Sequence, residues 1–492
     1  MPKKHFSKID VVLSIIALAL VISLFLKAIF DVDKNYDVGW YHLPFAARIW
    51  DIIPSESFTS GTKVEHRYDG FPLLAHFLQG LFWKVTNRIQ TTNLVGYFSV
   101  IAYLLFLKNC FKIPLYLSTI AILCIPAVLT HSTRSFVDLP ANIGMSILIM
   151  MSYNFFRQSR LPSKKELLFA FLGAATAVNT KPQLQPLVFL VYVIVSFRLA
   201  YLYWKYTNRT RRKLWLTIPI LMLASVIIFT TPIKNTVFYG NPFYPTKVEI
   251  AGIVLNHESV PETYSEGERP QKWLRSVFEI NTPRWSPDQH NNTSDKTLLD
   301  RGGGFFGSYV VFNLLLLAFL TIKRIYTKSL NDDGSRNVLV ATTIVLASSI
   351  IVSNFPQSHE LRYLMFWMIV LVSLNLSLIS SSRNLAQNQI TLFKVFFAAF
   401  FIVMCFKIES EFLFPQFDTF DAYIANIIKP EVLEQVSPEE KNCIISRYDA
   451  ALKIQHIFYY SSYFHPEITF DYDIQAVPDE QSCNSGKIIN PK

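Results

Sequence analysis

The residues whose types and spacing suit chemistry begin at Asn35-Tyr36-Asp37-Val38-Gly39-Trp40-Tyr41-His42-Leu43-Pro44, just beyond the first apolar run. A carboxylate where a membrane helix emerges into water can take a proton from a hydroxyl. Cations at the edges of later helices can hold a phosphate or diphosphate whose lipid tail lies between helices. Together these groups make an arrangement for moving a group from a lipid phosphate to an acceptor. Asp37 is the candidate base; Lys181 and Arg362 are the candidate phosphate ligands, with Arg134 and Lys234 behind them. Asp69 is a further catalytic candidate and His42 a catalytic or orienting imidazole. Asp138, Tyr239, Asn241, His359 and Tyr363 are candidate contacts to a donor sugar or an acceptor. Ionisable groups at the ends of apolar helices are costly to place and tend to be functional.

Each residue also has a plainer reading. Asp37 suits a solvated loop acid or a helix cap, and His42 a structural imidazole. Asp69-Gly70 matches a turn. Arg362, beside Tyr363 and Trp367, suits an interfacial anchor, and Lys181-Pro182 a helix terminus. No Walker phosphate loop, zinc-binding helix or serine elbow is present.

The elements that must position these groups follow from composition. The 492 residues are 51% hydrophobic and 17% charged, too apolar for the surface of a soluble protein this size. Apolar runs recur between short polar breaks, at lengths suited to crossing about 30 Å of hydrocarbon as helix. They predict an all-α polytopic membrane protein with about eleven spans: 9–30, 93–108, 113–130, 139–156, 166–180, 184–204, 214–232, 304–322, 338–353, 362–380 and 393–409. The segment 166–180 is short and carries Gly173, Thr176 and Asn179, so it pairs with 184–204 as a hairpin that either crosses or stops short.

Alternate breaks carry the cations, among them Lys108 and Lys112, Arg157 to Lys165, Lys205 to Lys213, Lys323 to Lys328, and Arg383. The positive-inside rule then places the N-terminus in the cytoplasm. The net charge of +10 sits where it meets anionic membrane lipids rather than nucleic acid.

Three segments fall outside. Loop 31–92 carries the opening motif and two predicted interface helices, Trp40 to Ile52 and Phe71 to Val85. In the second helix Phe71, Leu74, Leu78 and Phe82 mark one face. Loop 233–303, ending Asp300-Arg301-Gly302-Gly303-Gly304, reads as a cap over a site. Residues 410–492 form a small aqueous domain in which Cys443 and Cys483 either pair or stay free; residues 1–409 form the membrane core.

Tyr36-Asp37, Trp40-Tyr41-His42-Leu43-Pro44 and Ala46-Ala47-Arg48 resemble the first-loop signature of bacterial membrane glycosyltransferases of the GT-C superfamily, near the protein mannosyltransferase-like and lipid A aminoarabinose transferase-like group. Thr180-Lys181-Pro182, Tyr239-Gly240-Asn241-Pro242-Phe243-Tyr244-Pro245 and Glu360-Leu361-Arg362-Tyr363 resemble later stretches of such proteins, in the same order. The likeness covers residues 9 to 380.

The resemblance implies a GT-C-type helical core in a bacterial inner membrane, with the catalytic acid in the first outer loop. It implies a polyprenyl-phosphate-linked sugar donor and a glycan, lipid or protein acceptor on the outer side. Many relatives carry two adjacent acids; here Val38 follows Asp37, so a second carboxylate must come from Asp33, Asp69 or Asp138. A divalent metal is therefore an open expectation. Rival readings are an O-antigen-type polymerase or ligase using Arg269, Arg275, Arg284 and His290, a lipid-linked sugar flippase or transporter, and a non-catalytic assembly subunit.

Overall fold

The computed structural model describes residues 8–35, 37–54, 62–206, 211–250, 252–260, 268–279, 304–327, 333–382, 385–408, 410–417, 419–437, 440–445, 454–465, 473–477, 480–483 and 486–489. Tyr36, the Asp300-to-Gly303 end of the long loop, Arg284 and His290 lie outside the described residues.

Helix α1 (Lys8–Phe30) leads into a short π-helical turn, Val38–His42, continued by α2 (Leu43–Ile49), α3 (Thr62–Gly70) and α4 (Leu74–Thr86). The bundle then runs α5 (Leu94–Phe111), α6 (Leu115–Leu123), α7 (Pro126–His131), α8 (Asp138–Arg157), α9 (Lys164–Val178), α10 (Gln185–Tyr206), α11 (Arg211–Ile228) and α12 (Thr230–Tyr239). A small hairpin, β1 (Glu249–Ile250) with β2 (Ile253–Val254), and α13 (Arg269–Val277) precede α14 (Gly307–Thr327), α15 (Asp333–Ser353), α16 (Phe366–Ser381) and α17 (Gln387–Lys407). The C-terminal segment adds α18 (Phe420–Ile427), α19 (Pro430–Leu433) and strands β3 (Lys441–Ile445), β4 (Asp473–Val477) and β5 (Lys487–Ile489), a parallel sheet in the order β4-β3-β5. A disulfide joins Cys443 to Cys483.

Among the described residues seven segments are long and apolar enough to cross a membrane, and the bent α11–α12 pair makes up to eight. The chain is a multi-pass helical membrane protein. Not every one of the eleven expected spans forms a single long helix. Run 113–130 breaks into α6 and α7 because Pro126 lacks an N–H and disfavours helix at Ile125. The Ala121 carbonyl near the break accepts instead from the Tyr309 hydroxyl at 2.8 Å. Run 362–380 forms α16 only from Phe366, and 166–180 forms the 15-residue α9.

Helices α8 and α16 make the centre, almost wholly buried and packed on one another. Helix α9 lies tightly against α8. A Cβ on Gly173 would sit 2.7 Å from the Gly144 carbonyl oxygen, so only glycine permits this approach. The residue that weakens 166–180 as a span is thus its packing contact. Asn179 has a similar role at the 73° bend between α11 and α12. Its amide donates to the Ile227 and Ile228 carbonyls at 3.3 and 3.0 Å and accepts from the Thr231 N–H at 3.3 Å, replacing helical bonds lost at the bend.

In loop 31–92 α2 and α4 fall close to the expected interface helices, while Asp69-Gly70, expected as a turn, forms the last two residues of α3. The buried face of α4 is Ala75, His76, Gln79, Gly80 and Trp83. Its apolar edge, Phe77, Leu78 and Val85, is exposed. An outward apolar face suits a helix lying in the membrane interface.

Candidate active site

Asp37 starts the π-helical turn one short step beyond α1. Arg362, on the turn Leu361–Leu364 before α16, places Nη1 3.6 Å from Asp37 Oδ2. That is an ion pair slightly beyond hydrogen-bonding distance. Asp138, in the first turn of α8, accepts a buried ion-pair hydrogen bond from Lys181, which stands between α9 and α10. The Lys181 ammonium lies 4.0 Å from the centre of the Tyr363 ring, and Arg362 sits over the same ring at 5.0 Å. Asp37 feels the charges of Arg362, Asp138, Arg67 and Lys181. Residues 37, 138, 181, 362 and 363 thus meet in one place, although up to 326 positions separate them in the chain.

The Asp37 side chain keeps 24% of its surface. Burial pushes its carboxyl above the ordinary range, and the Arg362 guanidinium opposes this. The carboxylate is therefore a stronger base than a solvated one. Lys181 is pushed down by burial, while Asp138 favours its charged form.

His42 is buried and meets His76 across a 2.9 Å Nδ1–Nε2 contact, its ring stacked on His76 and tilted against Tyr41. Burial lowers His42 well below the usual imidazole range and His76 to about 3, so both are neutral. His42 Nε2 and His131 Nε2 are buried nitrogens with no hydrogen-bond partner among the described residues. Both rings contact Phe136, which also lies under Arg362. Orphaned buried nitrogens beside charged groups are where a ligand or water finds partners.

Other expected residues engage different partners. Arg134 pairs with Asp33 at 3.2 Å, and the Ser135 N–H donates to the same carboxylate. Lys234 donates to the Asp69 carbonyl. Of the three possible second acids, Asp138 is the one brought beside Asp37. Asn241 is fully buried and closes its own loop through the Thr246 and Asn256 carbonyls and the Phe243 N–H. Tyr239 stacks on Tyr244 at 4.0 Å. His359 is buried just before Glu360, whose carboxylate is 3.9 Å from Arg362 Nε.

Two participants lie outside the candidate site residues, Arg67 being legible in the sequence only as one of several ionisable groups of the first loop. Arg67, on α3, stacks over Trp40 at 4.4 Å and faces Asp37 electrostatically. Asn142 lies inside an apolar helix, donates to the Arg362 carbonyl at 3.1 Å and accepts from the Phe366 N–H at 2.9 Å. A polar residue four positions after Asp138 was the available signal.

No protein-family profile matches the chain, and no curated protein matches it significantly. Among solved structures, ArnT from Cupriavidus metallidurans in the apo state matches over 96% of this chain and 89% of its own, with a TM-score of 0.52 and 12% identity. The match extends past the membrane core into the C-terminal segment. The fold of this chain, a multi-pass helical bundle with a C-terminal segment, is similar to that of ArnT.

Proposed function

We propose that this protein is an integral membrane glycosyltransferase that moves a sugar from a polyprenyl-phosphate-linked donor to an acceptor hydroxyl on the extracytoplasmic side. The observation that carries the reading is the convergence of a basic carboxylate, Asp37, with two cations, the buried Lys181 and the partly buried Arg362, at one end of the apolar helices. The shared fold and the resemblance of the first-loop motif support it. The positive-inside rule and the Cys443–Cys483 disulfide, which suits an oxidising compartment, support the outer location.

In this reading Asp37 takes the acceptor proton as the acceptor oxygen bonds to the sugar's anomeric carbon. The bond from that carbon to the carrier phosphate breaks, and its electron pair stays on the phosphate. Lys181 and Arg362 stabilise the charge developing there. Asp138 holds Lys181 in place. No step runs through a divalent ion: among the described residues no three carboxylate, imidazole or thiol groups converge, and Asp138 already receives the Lys181 ammonium.

The test is turnover of radiolabelled polyprenyl-phosphate sugars by purified protein in lipid nanodiscs. Asp37→Asn is expected to lose at least about 100-fold in donor consumption while still binding donor. Undiminished consumption would remove Asp37 from the mechanism. A transporter would instead keep moving the lipid in this variant.

A further inference from the structure

A groove of about 1070 Å³ lies between the end of α1, the α4–α5 connection and the α18–α19 region. Neither Asp37 nor Arg362 lines it. Its walls are ring-rich: Phe30, Trp83, Phe417, Phe420, Tyr463 and Phe464. Phe30 and Phe417 face one another at 5.4 Å, Phe420 and Phe464 at 5.3 Å, and the Trp83 indole donates to the Tyr463 hydroxyl at 3.2 Å. Between the rings the groove presents the amides of Asn87 and Gln90, the Arg88 guanidinium and the Asp421 carboxylate.

This lining discriminates between ligand classes. One acid offsets one base, which disfavours an anionic headgroup, and the interspersed amides disfavour an acyl chain. Flat rings beside amide and carboxylate groups fit an uncharged polyhydroxylated chain, whose C–H faces pack on the rings and whose hydroxyls reach the polar atoms. The volume is at the upper end for a small-molecule site, so an extended ligand suits it better than a single ring. Trp83, Ile89, Ile424 and Ile428 line the groove and belong to the same apolar cluster as Val38, Leu43 and Ala47 of the Asp37 loop. The groove and the catalytic loop thus share one packed layer.

We propose that this groove binds a neutral oligosaccharide segment of the acceptor and holds it beside the Asp37 pocket; the acceptor role rests on the glycosyltransferase reading above. The full chain in nanodiscs is titrated with fluorescently labelled neutral oligosaccharides of graded length, followed by anisotropy. Saturable binding that strengthens with length is expected. Phe417→Ala and Asp421→Ala, both at exposed positions, should each weaken it by about tenfold with thermal unfolding unchanged, while Asp37→Asn keeps it. The absence of saturable binding, equal affinity in both groove variants, or displacement of the probe by anionic phospholipid rather than by unlabelled oligosaccharide would overturn the proposal. Binding that depends on Phe417 and Asp421 in a protein that consumes no lipid-linked sugar would sink the enzymatic reading and leave the glycan site standing.

Discussion

Asp138 and Asn142 stand one helical turn apart at the start of α8, and each holds a segment that brings a cation to Asp37. Asp138 receives the Lys181 ammonium. Asn142 clamps the Arg362 backbone and the first N–H of α16. One turn of one buried helix thus sets the spacing of both candidate phosphate ligands.

Breaking the first hold exposes its energetics. Asp138→Asn leaves a buried ammonium without its counter-charge, a change that costs about 3–5 kcal/mol. Thermal unfolding should report the loss. Adding Lys181→Met should recover most of the stability but not the donor affinity. A stable, active Asp138→Asn protein would contradict the pairing.

The pH profile follows from Asp37. Its ionised form is the working base, and burial raises its pKa against the pull of Arg362. Activity therefore falls as pH drops through a value above the ordinary carboxylate range. Arg362→Gln removes the lowering charge, so the acidic limb of kcat/KM should move to higher pH. Arg362→Lys should move it less. A shift towards lower pH in Arg362→Gln would show that the guanidinium does not act on Asp37.

The α8–α9 contact has no room for a side chain at Gly173. Gly173→Ala should cost about 1–3 kcal/mol through forced separation of the helices. Because α9 ends at the Asn179–Lys181 junction, donor affinity should fall as well. Unfolding temperature and the donor KM check the two effects separately.

The C-terminal segment reaches the site through packing. The turn Ile454–Tyr460 lies on the Val38–His42 turn, and Ile457, Phe458, Tyr459 and Tyr460 share an apolar cluster with Val38 and Leu43. Cys443→Ser or Cys483→Ser should lower stability by about 2–5 kcal/mol. A reductant applied to the wild type should slow donor consumption with the same dependence on time as disulfide loss. If activity persists after complete reduction, the segment does not brace the Asp37 loop.

The sequence by itself determined what depends on short stretches of chain. Apolar runs of helical length announced the multi-pass bundle, basic breaks announced its expected orientation, and the position of Asp37 just past α1 announced the motif. These signals are local, because a helix needs only its own residues to satisfy its backbone in lipid. Tertiary structure alone decided the partners: Asp138 for Lys181, Arg362 for Asp37, His76 for His42, and Asp33 rather than a shared pocket for Arg134. It also turned Gly173 and Asn179 from signs of a weak span into packing and bend-sealing residues. The reason is geometric: such pairs depend on how each helix is rotated and how closely it approaches its neighbour, and the periodicity of one helix carries neither quantity.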